Sequence, residues 1–569
     1  MLSPTGFPIT PACMMTPMST HYAGVGVSRG AAAGPVVRVV TPAPPPREEA
    51  GQVDVEAEIE RAQEALAAVA TELEDLAHKV GATGAMLVAQ ARIARDPALL
   101  AMVSESVRSH RRAGRAIYDT LAAYRDMRAA DPLRPVPPQA ELDDVRDRAV
   151  AWILGEPAPG IPDPGTPFVL VARDLSPSVT ATLDPQRVLA LVTERGGPTS
   201  HTAVLAKTLG IPAVVACAGA AALVDGAQVV VDGSAGTVTV DPERELVTTV
   251  HERREAGARR RAQPTGGPGR TRDGRPVRML VAVGGPGDLD KANRVGAEGV
   301  GVFRTEFLFL GRDDPPTTAE QTTAYRAVFS AFAGRQVTVR TLDVGADKPL
   351  PFVPLGDQTN PALGVRGLRV ARRDPRLLTD QLRAIARAAA GSDAQVRVMA
   401  PMVATAAEGA WFAALAHAEG LTEAGVMVEV PAAALRAADL LRAVDFLSVG
   451  TNDLSQYTFA ADRQVGELAD LLDFWQPALL QLIAAATSAG TAVGVPVTVC
   501  GEAAADPLLA PVLVGLGAEG LSMSPRMLPE VRAAIAERTF DECRALAASA
   551  LAASSPEEAR ALVAAAIRG

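Results

Sequence analysis

The sequence predicts a multidomain α/β protein: a small α/β domain carrying an inserted helical bundle, followed by a (β/α)8 barrel. Three observations carry that expectation. Eight short apolar runs alternate with helical patterns between residues 276 and 569. Residues 51–154 repeat apolar side chains only at the helical period. Residues 155–242 mix short strands with helices. A length of 569 residues also fits several domains, at about 150 residues for each.

From the N-terminus, residues 1–22 are rich in Pro, Thr and Met and have no periodicity, so they read as a disordered extension, or as sequence ahead of the true start. A β-type segment follows at Val25–Val40 and ends in the breaker Pro42-Ala-Pro-Pro-Pro46. Ile59, Ala62, Leu66, Val69, Leu73 and Leu76 then recur at steps of three or four, the spacing of one helix face. Further helical patterns cover 84–95, 97–110, 112–129 and 139–154, with a loop at Asp131–Pro138. In the next segment Val169–Ala172, Ala213–Ala216 and Gln228–Val231 read as strands, with a hairpin over Asp232-Gly-Ser234. Strands on both sides of the helical stretch predict one α/β domain of residues 23–50 and 155–242, with 51–154 as its insertion. Residues 243–275 read as a basic helix running into a Gly/Pro-rich linker.

The barrel strands are expected at Val277–Val283, Gly299–Phe303, Val337–Leu342, Val396–Ala400, Gly425–Val430, Phe446–Gly450, Pro496–Cys500 and Gly520–Ser522. The longest uncharged stretch, Phe474–Gly501, could span a bilayer by length alone. Gln481, Thr487, Ser488, Gly490, Gly494 and Pro496 interrupt it, so it reads as helix, turn and strand. With no basic n-region before Arg29, a cytoplasmic protein is expected, with no membrane insertion. A net charge of −10 argues against a nucleic-acid partner. Cys13, Cys217, Cys500 and Cys543 lie far apart without a Cys-x-x-Cys pair, which argues against a disulfide scaffold and a structural zinc site.

A barrel of this kind carries its chemistry at the C-terminal strand ends. There the sequence places Arg304, Arg340, Glu429, Asn452, Asp453 and Cys500, with Arg463 ten residues beyond Asp453. Arginine's planar fork suits phosphate and carboxylate. Two carboxylates on neighbouring strands can share a hard cation such as Mg²⁺. A lone arginine at a strand end more often sits in an ion pair, but a set of such residues at one barrel end points to a small phosphorylated acid bound through a metal. The second candidate is Gly196-Gly-Pro-Thr-Ser-His201-Thr-Ala203. Two glycines permit a tight turn, Thr199 and Ser200 can cap the following helix, and His201 falls in the first turn, where an anion is favoured. A neutral imidazole there can accept a phosphoryl group. Taken alone, the same residues describe a histidine beside a capped glycine turn, and Cys500 alone reads as a core thiol.

These segments resemble one family. Gly196-Gly-Pro-Thr-Ser-His201-Thr-Ala-Val-Leu-Ala-Lys207 followed by Gly210-Ile-Pro-Ala-Val-Val215 is similar to the phosphohistidine segment of the enzyme I family of the bacterial sugar phosphotransferase system, the phosphoenolpyruvate-protein phosphotransferases. So are Val302-Phe-Arg-Thr-Glu-Phe-Leu-Phe309, Arg340-Thr-Leu-Asp-Val-Gly-Ala-Asp-Lys348-Pro, Val426-Met-Val-Glu429-Val-Pro-Ala, Ser448-Val-Gly-Thr-Asn452-Asp453-Leu-Ser-Gln-Tyr457 and Val499-Cys500-Gly-Glu502. The match runs in family order from about Gly24 onward. The resemblance implies a swivelling phosphohistidine domain and a phosphoenolpyruvate-binding barrel. It implies that His201 takes the phosphoryl group of phosphoenolpyruvate and passes it to a histidine of the phosphocarrier protein HPr. It implies that Arg304, Arg340, Asn452, Asp453 and Arg463 bind phosphoenolpyruvate, that Glu429 and Asp453 hold Mg²⁺, and that Cys500 protonates C3 of the enolate to give pyruvate. A homodimer through the barrel and HPr docking on the bundle are implied as well. The bundle holds 17 acidic against 13 basic residues, too even a balance for charge alone to drive that docking. Acceptor and substrate then belong to different domains. Because transfer needs the reacting atoms within about 3–3.5 Å, a hinged swing of the histidine domain is expected.

Two alternatives are pyruvate phosphate dikinase or phosphoenolpyruvate synthase, and a regulatory phosphoprotein without turnover. The first needs a large ATP-binding domain ahead of the histidine domain, and no Gly-x-x-x-x-Gly-Lys-Ser/Thr loop is present. The second is opposed by the retained Cys500, Glu429, Asp453 and arginines. Pro198, where many relatives carry Arg, and Ala505, in place of a more usual Gly, depart from the family pattern.

Overall fold

The computed structural model describes residues 20–28, 30–40, 46, 54–80, 85–109, 111–129, 139–162, 164–197, 200–262, 267–310, 312–345, 350–356, 358–463 and 465–568. Most of the expected extension, most of the Pro42–Pro46 breaker, the 131–138 loop, Pro198 and the start of the Pro264–Pro268 run lie outside these residues. The chain divides into two compact units, Met1–Glu255 with Gln464–Glu467, and Ala256–Arg463 with Leu468–Gly569.

The first unit holds an eight-stranded mixed sheet. Its strands are β1 (Thr20–Ala23), β2 (Val25–Ser28), β3 (Ala31–Arg38), β4 (Phe168–Ala172), β5 (Val188–Thr193), β6 (Ala213–Val215), β7 (Gln228–Asp232) and β8 (Thr237–Val240), in the order β1-β8-β7-β3-β4-β5-β6-β2. Alternation sets its two faces. Phe168, Leu170 and Ala172 pack on one side, Val169 and Val171 on the other. The expectation that residues up to 22 are disordered is corrected at its end: Thr20, His21 and Tyr22 form β1, antiparallel to β8. His21 Nδ1 lies 3.1 Å from Thr239 Oγ1, and Tyr22 packs against the sheet core. Composition masked this, because a four-residue edge strand carries almost no periodic signal.

The bundle enters between β3 and β4 as α1 (Val55–Val80), α2 (Ala85–Ala94), α3 (Pro97–Arg108), α4 (Ala113–Ala129) and α5 (Gln139–Leu154). Ile59, Leu66, Val69 and Leu73 of α1 enter one buried core with Leu99, Val103, Ile117 and Val145. Each fully buried aliphatic side chain contributes roughly 1.5–3 kcal/mol. Asp96 caps α3, accepting from the Ala98 amide at 2.8 Å, and also accepts the Tyr124 hydroxyl at 2.7 Å. Arg148 ties the bundle to the α/β domain. It donates to Glu72 at 2.6 Å, to Ser178 Oγ at 2.7 Å and to the Pro159 carbonyl at 3.1 Å, and is almost wholly buried. Ser178 lies on the short α6 (Pro177–Ala181). After β6 to β8, the basic stretch forms α8 (Arg244–Ala262), following α7 (His201–Leu209). Val247 and Val250 lay α8 against Ala33 and Val230.

The second unit is a closed barrel of eight parallel strands. These are β9 (Arg278–Val283), β10 (Gly299–Arg304), β11 (Gln336–Arg340), β12 (Gln395–Ala400), β13 (Ala424–Val428), β14 (Leu447–Gly450), β15 (Val497–Cys500) and β16 (Gly520–Met523). Each matches an expected apolar run to within two residues. The third closes earlier than expected, at Arg340 instead of Leu342, so Arg340 terminates its strand. Residues such as Met279, Val281, Val337 and Val339 pack outward under the helices. Val302, Met399, Met427, Phe446 and Cys500 cluster separately. The uncharged stretch resolves into helix Pro477–Val493, a left-handed Gly494 at φ 71° and β15. Among the described residues no helix is long and apolar enough to cross a membrane.

Candidate functional site

His201 opens α7. Ser200 caps that helix, its hydroxyl accepting from the Ala203 amide at 3.2 Å, while its own amide donates to the Gly197 carbonyl at 3.0 Å. Gly196 holds φ 97°, a left-handed value that a side chain resists, and a Cβ there would lie 3.3 Å from Ser200 Oγ. The glycine thus lets the chain turn tightly enough for Ser200 to reach its capping position. Buried Ala203 and Ala206 fasten α7 to the sheet, and Gly210 ends it in the left-handed conformation. The first-turn amides at this helix start are oriented toward an incoming anion.

In the barrel, the expected residues converge on one end. Arg304 and Arg340 close β10 and β11, Glu429 follows β13, Asn452 and Asp453 open the helix after β14, and Cys500 closes β15. Arg340 is held by Glu306 Oε1 at 2.8 Å and stands 3.5 Å from Asp343 Oδ2. Burial works against its charge, but Glu306, Asp343, Glu429 and Asp453 outweigh it and raise its pKa above the ordinary arginine value. Arg304 as a residue is exposed. Desolvation by the surrounding barrel mouth, and then the nearby Arg340, lower its pKa against the opposing Glu306. Two guanidiniums close enough to repel each other form a place for an anion.

The carboxylates show the opposite imbalance. Glu429 is 1% exposed, and burial, then Asp453 and Asp343, push it up to about 8 against the opposing effect of Arg340. Its Oε1 accepts the Met402 amide at 2.6 Å. Met402 sits at φ 62°, a left-handed value that costs about 1–3 kcal/mol in a residue with a side chain and here aims the amide at the carboxylate. Glycine at position 450 matters too: a Cβ there would come within 2.9 Å of Glu429 Oε2. Asn452 Oδ1 accepts the Glu502 amide at 3.2 Å. Arg463 Nη1 lies 3.6 Å from Asp453 Oδ2. The Cys500 thiol donates to the Val449 carbonyl at 3.2 Å, and burial pushes its pKa up to about 11. It is thus a firmer proton holder than the ordinary thiol the sequence suggests.

Sequence reasoning missed the support beneath these residues. Arg366 is completely buried and forks onto Asp343, Nε to Oδ1 at 3.1 Å and Nη2 to Oδ2 at 2.9 Å. Its third nitrogen, Nη1, lies 2.9 Å from Asp453 Oδ1 and 3.2 Å from the Tyr457 hydroxyl. Glu306 and Asp343 stood inside recognised motifs without a role. The available signal was Gly364 and Gly367 flanking Arg366. Gly367 holds φ 58°, and a Cβ there would come within 2.8 Å of Met402 Cβ. Among the described residues, no three His, Cys, Asp or Glu side chains gather as a ready metal cluster.

Residues 23–131, 164–236 and 259–540 match, in order, the N-terminal, mobile and PEP-binding domains of the PEP-utilising enzymes. A (β/α)8 barrel ending in paired arginines and carboxylates, preceded by a histidine-bearing α/β domain, is therefore the architecture of a phosphoenolpyruvate-utilising enzyme. Phosphoenolpyruvate-protein phosphotransferase of Streptomyces coelicolor is 50% identical over 97% of this chain and 100% of its own length. The protein of that name from Haloferax volcanii is 40% identical over 88% of this chain and 90% of its own length. That from Geobacillus stearothermophilus is 36% identical over 94% and 96%. The chain belongs to the phosphoenolpyruvate-protein phosphotransferase family.

Proposed function

We propose that this chain moves the phosphoryl group of phosphoenolpyruvate onto His201, then onto a histidine of the phosphocarrier protein HPr, releasing pyruvate at the first step of sugar uptake. The observation that carries this reading is the meeting of two arginines, two carboxylates, an amide and a thiol at one barrel end, in a family of that activity. Arg304, Arg340 and Arg463 would bind the phosphate and carboxylate, and Asn452 and Asp453 would orient them. Phosphoryl transfer asks the protein mainly for positioning and charge neutralisation. The His201 imidazole lone pair takes the phosphorus as the bond to the enolate oxygen breaks, and Cys500 Sγ–H protonates C3 of that enolate.

Glu429 and Asp453 fit a Mg²⁺ ion. They are hard oxygen donors at neighbouring strand ends, and burial, then the nearby Asp453 and Asp343, push the Glu429 carboxyl up to about 8, an imbalance that a bound cation would relieve. Gly450 leaves Glu429 Oε2 free of a neighbouring Cβ. A bound Mg²⁺ would neutralise charge on the phosphate and on the developing enolate. Docking of HPr on the bundle is supported by the exposed Val88, Met127, Trp152 and Leu154. A dimer through the barrel and a cytoplasmic location complete the reading.

The test is incubation with labelled phosphoenolpyruvate and Mg²⁺, followed by mapping of the acid-labile phosphate. Label should reach His201, and His201→Ala should take up none while the barrel unfolds at its usual temperature. Acid-labile label on the His201→Ala chain would overturn the assignment.

A further inference from the structure

Beneath Cys500 the barrel interior holds a pair of hydroxyls. β14 and β15 pair with Ser448 opposite Thr498 and Gly450 opposite Cys500. Thr498 and Cys500, two residues apart on one strand, face the same side of the sheet. Cys500 packs there with Val302, Met399, Met427 and Phe446. The Thr498 hydroxyl donates to Ser448 Oγ at 3.1 Å, the Cys500 thiol donates to the Val449 carbonyl at 3.2 Å, and Ser448 is the neighbouring hydroxyl that favours the charged form of the Cys500 sulfur. With Thr498 donating to Ser448, the Ser448 proton is the one directed at sulfur. The chain of donors runs one way, Thr498 to Ser448 to Cys500.

The lower end of this chain leads away from the substrate face. Thr498 keeps 8% of its surface accessible, against 1% for Ser448. Opposite Thr498 on β16 stands Gly520, and opposite Gly520 stands Arg278, the first residue of β9. A Cβ at Gly520 would come within 3.0 Å of Thr498 Cγ2 and 3.4 Å of Arg278 Cβ. The glycine therefore puts no side chain between Thr498 and the N-terminal end of the barrel. Such interiors are ordinarily filled by branched apolar residues, and a buried hydroxyl costs free energy that a hydrogen bond offsets.

We propose that Ser448 and Thr498 relay a proton to Cys500 from water at the N-terminal end of the barrel, restoring the thiol after it has protonated the enolate. The inference rests on the reading of Cys500 as the acid. The C3–H bond forms as the S–H bond breaks, leaving a thiolate. The S–H bond is remade as Ser448 gives up its hydroxyl proton, Ser448 Oγ takes the Thr498 proton, and Thr498 Oγ1 takes one from water. The hydroxide left behind is neutralised by bulk solvent, so one solvent proton is consumed for each pyruvate formed and nothing is oxidised or reduced. The relay lets the thiol recover while pyruvate still covers the mouth.

The experiment uses the full phosphorylated chain with pyruvate and Mg²⁺ in D₂O. It follows deuterium entering the pyruvate methyl group and, in parallel, phosphoryl exchange between pyruvate and phosphoenolpyruvate. Methyl deuteration requires the Cys500 proton to exchange with solvent, so the ratio of the two rates reports the relay and cancels general loss of activity. Ser448→Ala and Thr498→Val should lower that ratio by about tenfold or more, and Thr498→Ser, which keeps the hydroxyl, should restore it. An unchanged ratio in Ser448→Ala and Thr498→Val would overturn the relay, as would equal slowing in Thr498→Val and Thr498→Ser. Cys500→Ala is the separate control: continued deuteration there would mean that the reading of Cys500 as the acid has failed instead.

Discussion

Arg366 Nη1 stands 2.9 Å from Asp453 Oδ1, and the arginine that makes this pair is completely buried. The same guanidinium forks onto Asp343, so one cation holds two carboxylates of the barrel mouth in place. Removing one partner of a buried ion pair leaves uncompensated charge, typically costing about 3–5 kcal/mol. Arg366→Met should therefore lower barrel stability by that order in urea unfolding. Arg366→Lys, which keeps charge without the fork, should recover only part of it.

Arg340 should act on the reaction more than on the fold. Arg340→Ala is expected to cost about 3 kcal/mol or more in kcat/KM for phosphoenolpyruvate. Arg340→Lys should rescue it partly, because one ammonium cannot reach both Glu306 and the phosphate. A Lys variant at full rate in single-turnover phosphorylation would mean that Arg340 supplies charge alone.

Glu429 gives a pH dependence of definite sign. Its carboxyl is raised from 4.5 to about 8 by burial and by Asp453 and Asp343. Between those values the folded chain binds more protons than the unfolded one, so this group lowers stability as pH rises through that window. Thermal unfolding of the chelator-treated chain should show that fall, and Glu429→Gln should remove it. Added Mg²⁺ should raise the unfolding temperature more near pH 9 than near pH 6, because at the lower pH it competes with a proton.

Cys500 should resist deprotonation. With its thiol pushed to about 11 by burial, the difference in ultraviolet thiolate absorbance between the parent chain and Cys500→Ala should stay flat until well above pH 9. A thiolate signal emerging near the ordinary thiol value of about 8.5 would contradict the buried environment.

The barrel strands were legible because each is a short apolar run with a polar residue at its end, and parallel strands covered on both faces leave that signature. The terminal residues Arg304, Arg340, Glu429 and Cys500 were legible for the same reason. Arg366 was not: it belongs to a loop, and its importance comes from burial between Asp343 and Asp453, which no spacing encodes. Met402 was equally hidden, since its left-handed backbone and its close approach to Gly367 leave no mark in the sequence pattern. β1 escaped because four edge residues hold no period, and its partner, β8, lies more than two hundred positions away.

That separation bears on how the chain acquires its structure. β3 must wait for β4 and β7, whose residues follow the whole bundle, and β1 must wait for Val240. During synthesis the bundle, rich in local pairings, emerges complete while β1, β2 and β3 still lack their partners. Helical segments with short-range contacts form fast, and long-range strand pairing is slow. The nascent chain is thus expected to gain protease resistance in α1–α5 first. The first three strands should remain protease-sensitive until translation has passed Val240.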